Sequence, residues 1–353
     1  MTSHDTDVRF ILDSQADNGA YLASPSYSQY PYCWLRDGSF IAHAMDAVGQ
    51  SASAAAYHGW VAATLNPLSD HVRDLIRTHD DHGRVDHDRM LPARFPVHGE
   101  PQRDGWPDFQ LDGYGQWLWS LERHVQAGGS FGEELRRGAT IVADYLTAFW
   151  DEPCFDAWEE GRTQHHGSTL ASAAAGLRAA TRLLGDAYAP AATASWRFVR
   201  DRCVMDGRFT KRFADPTVDA SLVWLATPFD LVTDDDPIFA ATLAAIERDL
   251  VVDGGTHRYQ ADTFYGGGAW VLLTAGIAWH HARNGRQARA RELLAWIETT
   301  RAPDGALPEQ VPDRRTDPWF RTYWTERWGA SASPLTWSHA MVILAREAAE
   351  QAG

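Results

Sequence analysis

The chain has 353 residues, 44% hydrophobic and 22% charged, the balance of a soluble globular protein, and no apolar run reaches the roughly 20 residues needed to cross a bilayer. Its formal charge of −15, from 47 Asp and Glu against 32 Lys and Arg, opposes binding to nucleic acid or an anionic membrane and favours a neutral or cationic small molecule. Three widely spaced cysteines, Cys33, Cys154 and Cys203, suggest neither a disulfide framework nor a Cys-x-x-Cys metal site, and the N-terminus lacks the charge and apolar pattern of a secretory signal, so a cytoplasmic protein is expected.

Apolar residues three and four apart recur along nearly the whole chain. The pattern predicts helices at 5–17, 38–49, 51–65, 110–126, 131–149, 167–185, 188–204, 217–228, 237–251, 265–283, 285–300 and 332–350, about twelve in all. A further short one is expected at 68–78, where Pro67 interrupts the preceding pattern and Ser69 or Asp70 can cap a new helix. Strand-like runs are few and short. Tight links such as Val48-Gly49-Gln50-Ser51 alternate with long ones at 18–37, 79–109, 150–166, 252–264 and 301–331, and loops of that length are usually functional. Helices paired through short turns, with long loops gathered at one end, fit an all-α fold, an (α/α)6 barrel; the absence of a fixed-period repeat disfavours an α-solenoid. No low-complexity linker divides residues 1–353, so one domain is expected.

Two acidic segments stand out, Cys154-Phe155-Asp156-Ala157-Trp158-Glu159-Glu160 and Pro303-Asp304-Gly305-Ala306-Leu307-Pro308-Glu309-Gln310. Protonating a leaving oxygen while activating a water needs two carboxyl groups of unlike pKa. Glu159 has an acidic neighbour in Glu160 and an apolar one in Trp158, both of which should favour its protonated form, whereas Glu309, with no adjacent carboxylate, should stay ionised. Tyr30-Pro31-Tyr32-Cys33-Trp34-Leu35-Arg36-Asp37 sets aromatics before an Arg and an Asp that together can bracket vicinal hydroxyls, or merely cap a helix. Gln110 and Asp112 stand either at a pocket rim or at a helix cap. The glycines of Gly266-Gly267-Gly268 lack the spacing of a nucleotide fingerprint. Sixteen tryptophans are an unusual load, several in loops, and flat rings beside polar groups suit pyranose sugars, with core packing as the bland alternative. The histidine-rich pieces match no zinc spacing, so no metal and no cofactor is expected.

Together the segments Tyr-x-Tyr-x-Trp-x-Arg-Asp at 30–37, Trp-Glu-Glu at 158–160, Asp-Thr-Phe-Tyr-x-Gly at 262–267, Glu-Gln at 309–310 and Leu-Thr-Trp-Ser at 335–338 resemble glycoside hydrolase family 15, the glucoamylase family, in the family's order. The resemblance implies an (α/α)6 barrel that hydrolyses an α-glucosidic bond with inversion and releases β-glucose from a non-reducing end. It implies Glu159 as general acid, Glu309 as general base and Tyr30 as a helper near the attacking water. Arg36, Asp37 and Arg258 would hold the terminal glucose, Trp34, Trp158 and Trp270 would wall the pocket, and Glu160 would shape the adjoining subsite. Phe264 departs from the second tyrosine that many members carry. The chain also lacks the β-sandwich and starch-binding module of many relatives. These features look most like the isomaltose glucohydrolase branch, acting on isomaltose or short α-1,6 oligosaccharides. The alternatives are the same mechanism on maltooligosaccharides or trehalose, and a non-catalytic glycan-binding barrel.

Overall fold

A computed structural model describes residues 3–83, 86–99 and 105–351. Thirteen α-helices occur among them: α1 (Ser3–Asp13), α2 (Leu35–Ala47), α3 (Ser51–Leu65), α4 (Ser69–His82), α5 (Asp112–Gln126), α6 (Glu133–Phe149), α7 (Gly167–Leu184), α8 (Ala189–Arg202), α9 (Pro237–Asp249), α10 (Val271–Arg283), α11 (Gln287–Glu298), α12 (Pro318–Trp328) and α13 (Thr336–Gln351). Six elements close an inner ring. In it α2 packs on α5, α5 on α7, α7 on the 3-10 segment Ala220–Leu225, that segment on α10, α10 on α13, and α13 back on α2. Outside it, α1 backs α13, α3 backs α2, α6 spans α5 and α7, α8 backs α7, α9 backs the 3-10 segment, and α11 backs α10. This is the (α/α)6 barrel that the helix pairing predicts.

The split between inner and outer helices follows from sequence. Helix α10 is buried from Val271 to Ala282, and a helix apolar on all sides can satisfy itself only inside a ring. Helix α4, with only Val72 and Leu75 buried, stays at the surface. Inner helices α5 and α7 approach backbone to backbone, since a Cβ on Gly176 would meet the backbone of Gly115 at 2.5 Å. Only glycine at that crossing permits the contact.

Three expectations change. The helix expected at 217–228 is a 3-10 segment, Ala220–Leu225, begun by Asp219, whose side chain accepts from Ser221 N. Pro216 and Pro228 confine it, and the residue before a proline disfavours the helical region. The helix expected at 265–283 starts at Val271, because Ala269–Trp270 is a strand in a four-stranded antiparallel sheet with Val251–Val252, Gly255–Thr256 and Gln310–Val311. Helix α12 lies inside the span 301–331 that reads as loop. Its start was signalled by Asp317-Pro318, where Asp317 accepts from Trp319 N and Phe320 N and Pro318 takes the first helical position. No helix among the described residues is long and apolar enough to cross a membrane.

Candidate active site

A cavity of about 600 Å³ is lined by Tyr30, Trp34, Arg36, Asp37, Trp158, Glu159, Glu160, Arg258, Trp270 and Glu309. Every site residue singled out from sequence therefore meets at one place, although the chain brings them from five separate segments. The loops at the starts of the inner elements supply them. Arg36 and Asp37 open α2, Trp270 precedes α10, and Glu309 leads into the strand Gln310–Val311.

Glu159 lies in a tight loop shaped by its own neighbours. The side chain of Asp156 accepts from Trp158 N at 3.0 Å and Glu160 N at 2.9 Å, which folds the loop back on itself. Glu159 takes a left-handed backbone, φ 68°, a conformation that costs a non-glycine residue about 1 kcal/mol or more and is held only by surrounding structure. Its Oε1 accepts from Trp34 Nε1 at 2.9 Å, Trp106 Nε1 at 2.9 Å and Gln110 Nε2 at 3.4 Å, with Arg36 Nη2 3.9 Å away. Three donors converge on Oε1, and no side chain among the described residues donates to Oε2.

Glu160, expected from sequence to act on Glu159, has partners of its own. Tyr259 donates to it at 2.8 and 2.6 Å, Arg258 Nη2 lies 3.4 Å away and Lys211 Nζ 3.4 Å away. The charge of Glu160 is matched by those two cations.

Lys211 is the residue that sequence reasoning missed. It is buried, and its ammonium donates to Asp156 at 2.7 Å and Asp219 at 3.2 Å. Asp219 in turn accepts from Trp158 Nε1 at 2.8 Å. Burial works against its charge, but Asp156, Asp219 and Glu160 outweigh that and raise its pKa. One cation thereby ties the carboxylate that shapes the Glu159 loop to the one that anchors its tryptophan. A lysine alone in Phe209-Thr210-Lys211-Arg212 carries no local signal of this, because its partners are 55 and 8 residues away.

Glu309 is buried, at 3% exposure. Its backbone is held between Ala332, which accepts from its N–H, and Val271, which donates to its carbonyl. Tyr30 donates to Oε1 at 3.0 Å and Ser331 to Oε2 at 3.2 Å. Burial pushes its pKa up to about 7, against the lowering effect of Tyr30, Arg258 and Ser331. Desolvation, invisible from a lone Glu in sequence, thus shifts this group above an ordinary carboxylate. Tyr30 itself is raised well above its usual value by burial and by the nearby carboxylates, so it remains a donor. The ring of Tyr30 lies 5.3 Å from that of Trp34, and this pair joins the Glu309 side of the cavity to the Glu159 side.

Arg36 Nη1 donates to Gln110 at 2.7 Å and Asp112 at 3.1 Å, so Gln110 and Asp112 belong to the site's support. Asp37 pairs with Arg36 at 3.7 Å, too long for a hydrogen bond, and no other side chain among the described residues donates to it. Burial raises its pKa to about 7, with Arg36 opposing and Glu159 adding. Arg258 is clamped by Asp262 through two hydrogen bonds, Nε to Oδ2 at 2.7 Å and Nη2 to Oδ1. Phe264 packs among Trp270, Trp324 and Trp328. Beside Tyr30, two other tyrosines share a hydroxyl contact, Tyr27 and Tyr265 at 2.7 Å. Of the segment 98–106, residues 100–104 lie outside the described residues. Among the described residues no group of three His, Cys, Asp or Glu is arranged to hold a metal. His280 and His281 instead bond Asp234 and Glu247.

Residues 9–302 match the glycosyl hydrolases family 15. The chain belongs to that family. Isomaltose glucohydrolase from Kribbella flavida is 43% identical over 342 residues, covering 95% of this chain and 89% of its own length. A solved wild-type glycosidase superposes with a TM-score of 0.94 at 41% identity, covering 99% of this chain and 97% of that one. A bacterial glucoamylase complexed with acarbose shares the fold, with a TM-score of 0.80 at 18% identity, over all of this chain and 56% of its own. The family 15 chain described here is accordingly a glycoside hydrolase.

Proposed function

We propose that this family 15 enzyme is an inverting, exo-acting α-glucosidase that removes the non-reducing-end glucose of isomaltose or short isomaltooligosaccharides at the α-1,6 bond. The single observation that carries the reading is the convergence of Glu159 and Glu309 on one cavity, each carboxylate held by its own donors, in a chain 43% identical to an isomaltose glucohydrolase. In this reading Glu159 delivers a proton from Oε2 to the glycosidic oxygen. Glu309 accepts a proton from a water, whose oxygen attacks C1 from the face opposite the leaving sugar, so β-glucose forms. The proton lost by Glu159 and the one gained by Glu309 balance over a turnover, and solvent exchange resets the pair. A base near pH 7 combines a useful ionised fraction with a strong pull on the proton.

Arg36, Asp37 and Arg258 would bind the terminal glucose, Asp37 through its open acceptor positions. Trp34, Trp158 and Trp270 would stack on its apolar faces, and Glu160 would face the leaving sugar. Tyr30 would hold Glu309 aimed at the water. The same reading keeps the enzyme in the cytoplasm, where the three buried free thiols remain reduced.

Incubation with isomaltose, maltose, trehalose and dextran, following the released anomer by NMR, tests it. Fresh β-glucose, released faster from isomaltose than from maltose or trehalose, is expected. Fresh α-glucose would exclude inversion, and a preference for maltose or trehalose would move the enzyme to another substrate.

A further inference from the structure

Outside the reacting centre, α12 presents aromatic surface that core packing does not explain. Its eleven residues include Trp319, Phe320, Tyr323, Trp324 and Trp328, yet none of its residues is fully buried. Trp324 and Trp328 face the cavity and pack on each other at 4.7 Å and on Phe264. The opposite fate befalls Trp319, 65% exposed, and Tyr323, 40% exposed. Four residues apart, they lie on one helix face with ring centroids 5.8 Å apart and planes within 8° of each other. Arg327, four residues further, donates to the Tyr323 hydroxyl at 3.0 Å and lines the cavity. The stripe Trp319, Tyr323 and Arg327 therefore runs from the cavity wall into solvent, about 12 Å along the helix axis at 1.5 Å per residue.

The helix is held in place by the site it adjoins. Trp324 Nε1 donates to Thr263 O at 3.0 Å, and Asp317 N donates to Gly266 O at 2.9 Å. Both acceptors belong to the turn that carries Phe264. Parallel rings with polar groups at their edges are suited to the C–H faces and hydroxyl rims of pyranose rings, and an exposed aromatic patch continuous with a binding cavity marks a binding surface.

We propose that this face of α12 is a sugar-binding track that takes glucosyl units beyond the leaving sugar, so that it selects for oligosaccharides longer than a disaccharide. The proposal rests on the exo-glucosidase reading of the cavity. The occupant follows from continuity: Trp324, Arg327 and Trp328 line the cavity, so a substrate that outgrows the cavity along α12 meets this stripe.

The test compares wild type with Trp319→Ala and Tyr323→Ala, using isomaltose and isomaltotetraose. The ratio of kcat/KM for the tetrasaccharide to that for the disaccharide is expected to fall about five- to tenfold in each variant, mainly through KM. An unchanged ratio overturns the track. So does a wild-type oligomer that Trp319→Ala dissociates in sedimentation, which would make the face a contact between copies. If wild type cleaves maltose rather than isomaltose, the linkage reading fails separately, and the same ratio measured with maltose and maltotetraose still decides the track.

Discussion

The loop carrying Glu159 and the loop carrying Glu309 prepare the same chemical group in opposite ways. Glu159 sits on a left-handed residue, with three N–H donors gathered on one oxygen and a buried lysine bracing the turn behind it. Glu309 is not among the residues with a left-handed backbone; it receives two hydroxyl donors, and its character comes from burial. One site stores its cost as backbone strain, the other as desolvation. The difference teaches that two carboxylates sharing one cavity need not be tuned by acting on each other.

The strongest way to break this comparison is to neutralise each acid. Glu159→Gln and Glu309→Gln should each lower kcat on isomaltose by about 10³-fold, within the usual range for a general acid or base. On α-glucosyl fluoride, whose leaving group needs no proton, Glu159→Gln should recover most of its activity and Glu309→Gln should not. Equal recovery in both variants would erase the distinction between the loops.

A smaller effect is expected from the brace. Lys211→Met leaves Asp156 and Asp219 buried without their shared cation, a serious electrostatic penalty, and should lower kcat roughly 100-fold with KM changed only a few-fold. Lys211→Arg, which keeps the charge, should recover part of that loss. If both variants lose activity equally, the charge is not what holds the Glu159 loop.

The smallest effect lies in the pH dependence. A base must be deprotonated to act, so kcat/KM should fall tenfold per unit as pH drops below about 7, where burial has raised Glu309. Asp37 titrates in the same window, and Tyr30 separates the two. Tyr30→Phe removes a hydrogen bond that favours ionised Glu309, so the acid limb should move to higher pH. A limb that stays in place would assign it to Asp37.

Much of this was legible in the sequence because the signals are local. Helical periodicity, the run from Tyr30 to Asp37 and the two acidic segments each sit within a few residues of their meaning. What was not legible depends on distance. Glu309 carries no mark of its burial, since the walls around it come from Tyr30, Ser331 and Arg258. Lys211 gains its role from Asp156, 55 residues earlier in the chain. The partners of Glu160, Tyr259 and Arg258, stand 99 and 98 residues on. Confinement of the inner segment Ala220–Leu225 was written in Pro216 and Pro228, but an apolar run outweighed it. Helix α12 was hidden by the opposite bias, an aromatic-rich stretch that reads as loop despite a clear Asp-Pro start.

The left-handed turn at Glu159 has a consequence for how such an enzyme can diversify. Gly161 shares the same backbone sign, φ 68°, so the chain reverses its hand on either side of Glu160. Adjacent acids therefore project to different partners: indole and amide N–H groups for one, Tyr259 and two cations for the other. Under the roles proposed here, substitutions at Tyr259 or around Glu160 can alter which leaving sugar is accepted while the proton donor keeps its own contacts. Two neighbouring letters of the sequence thus become separately adjustable, and new specificities are reachable by single changes that leave bond cleavage intact.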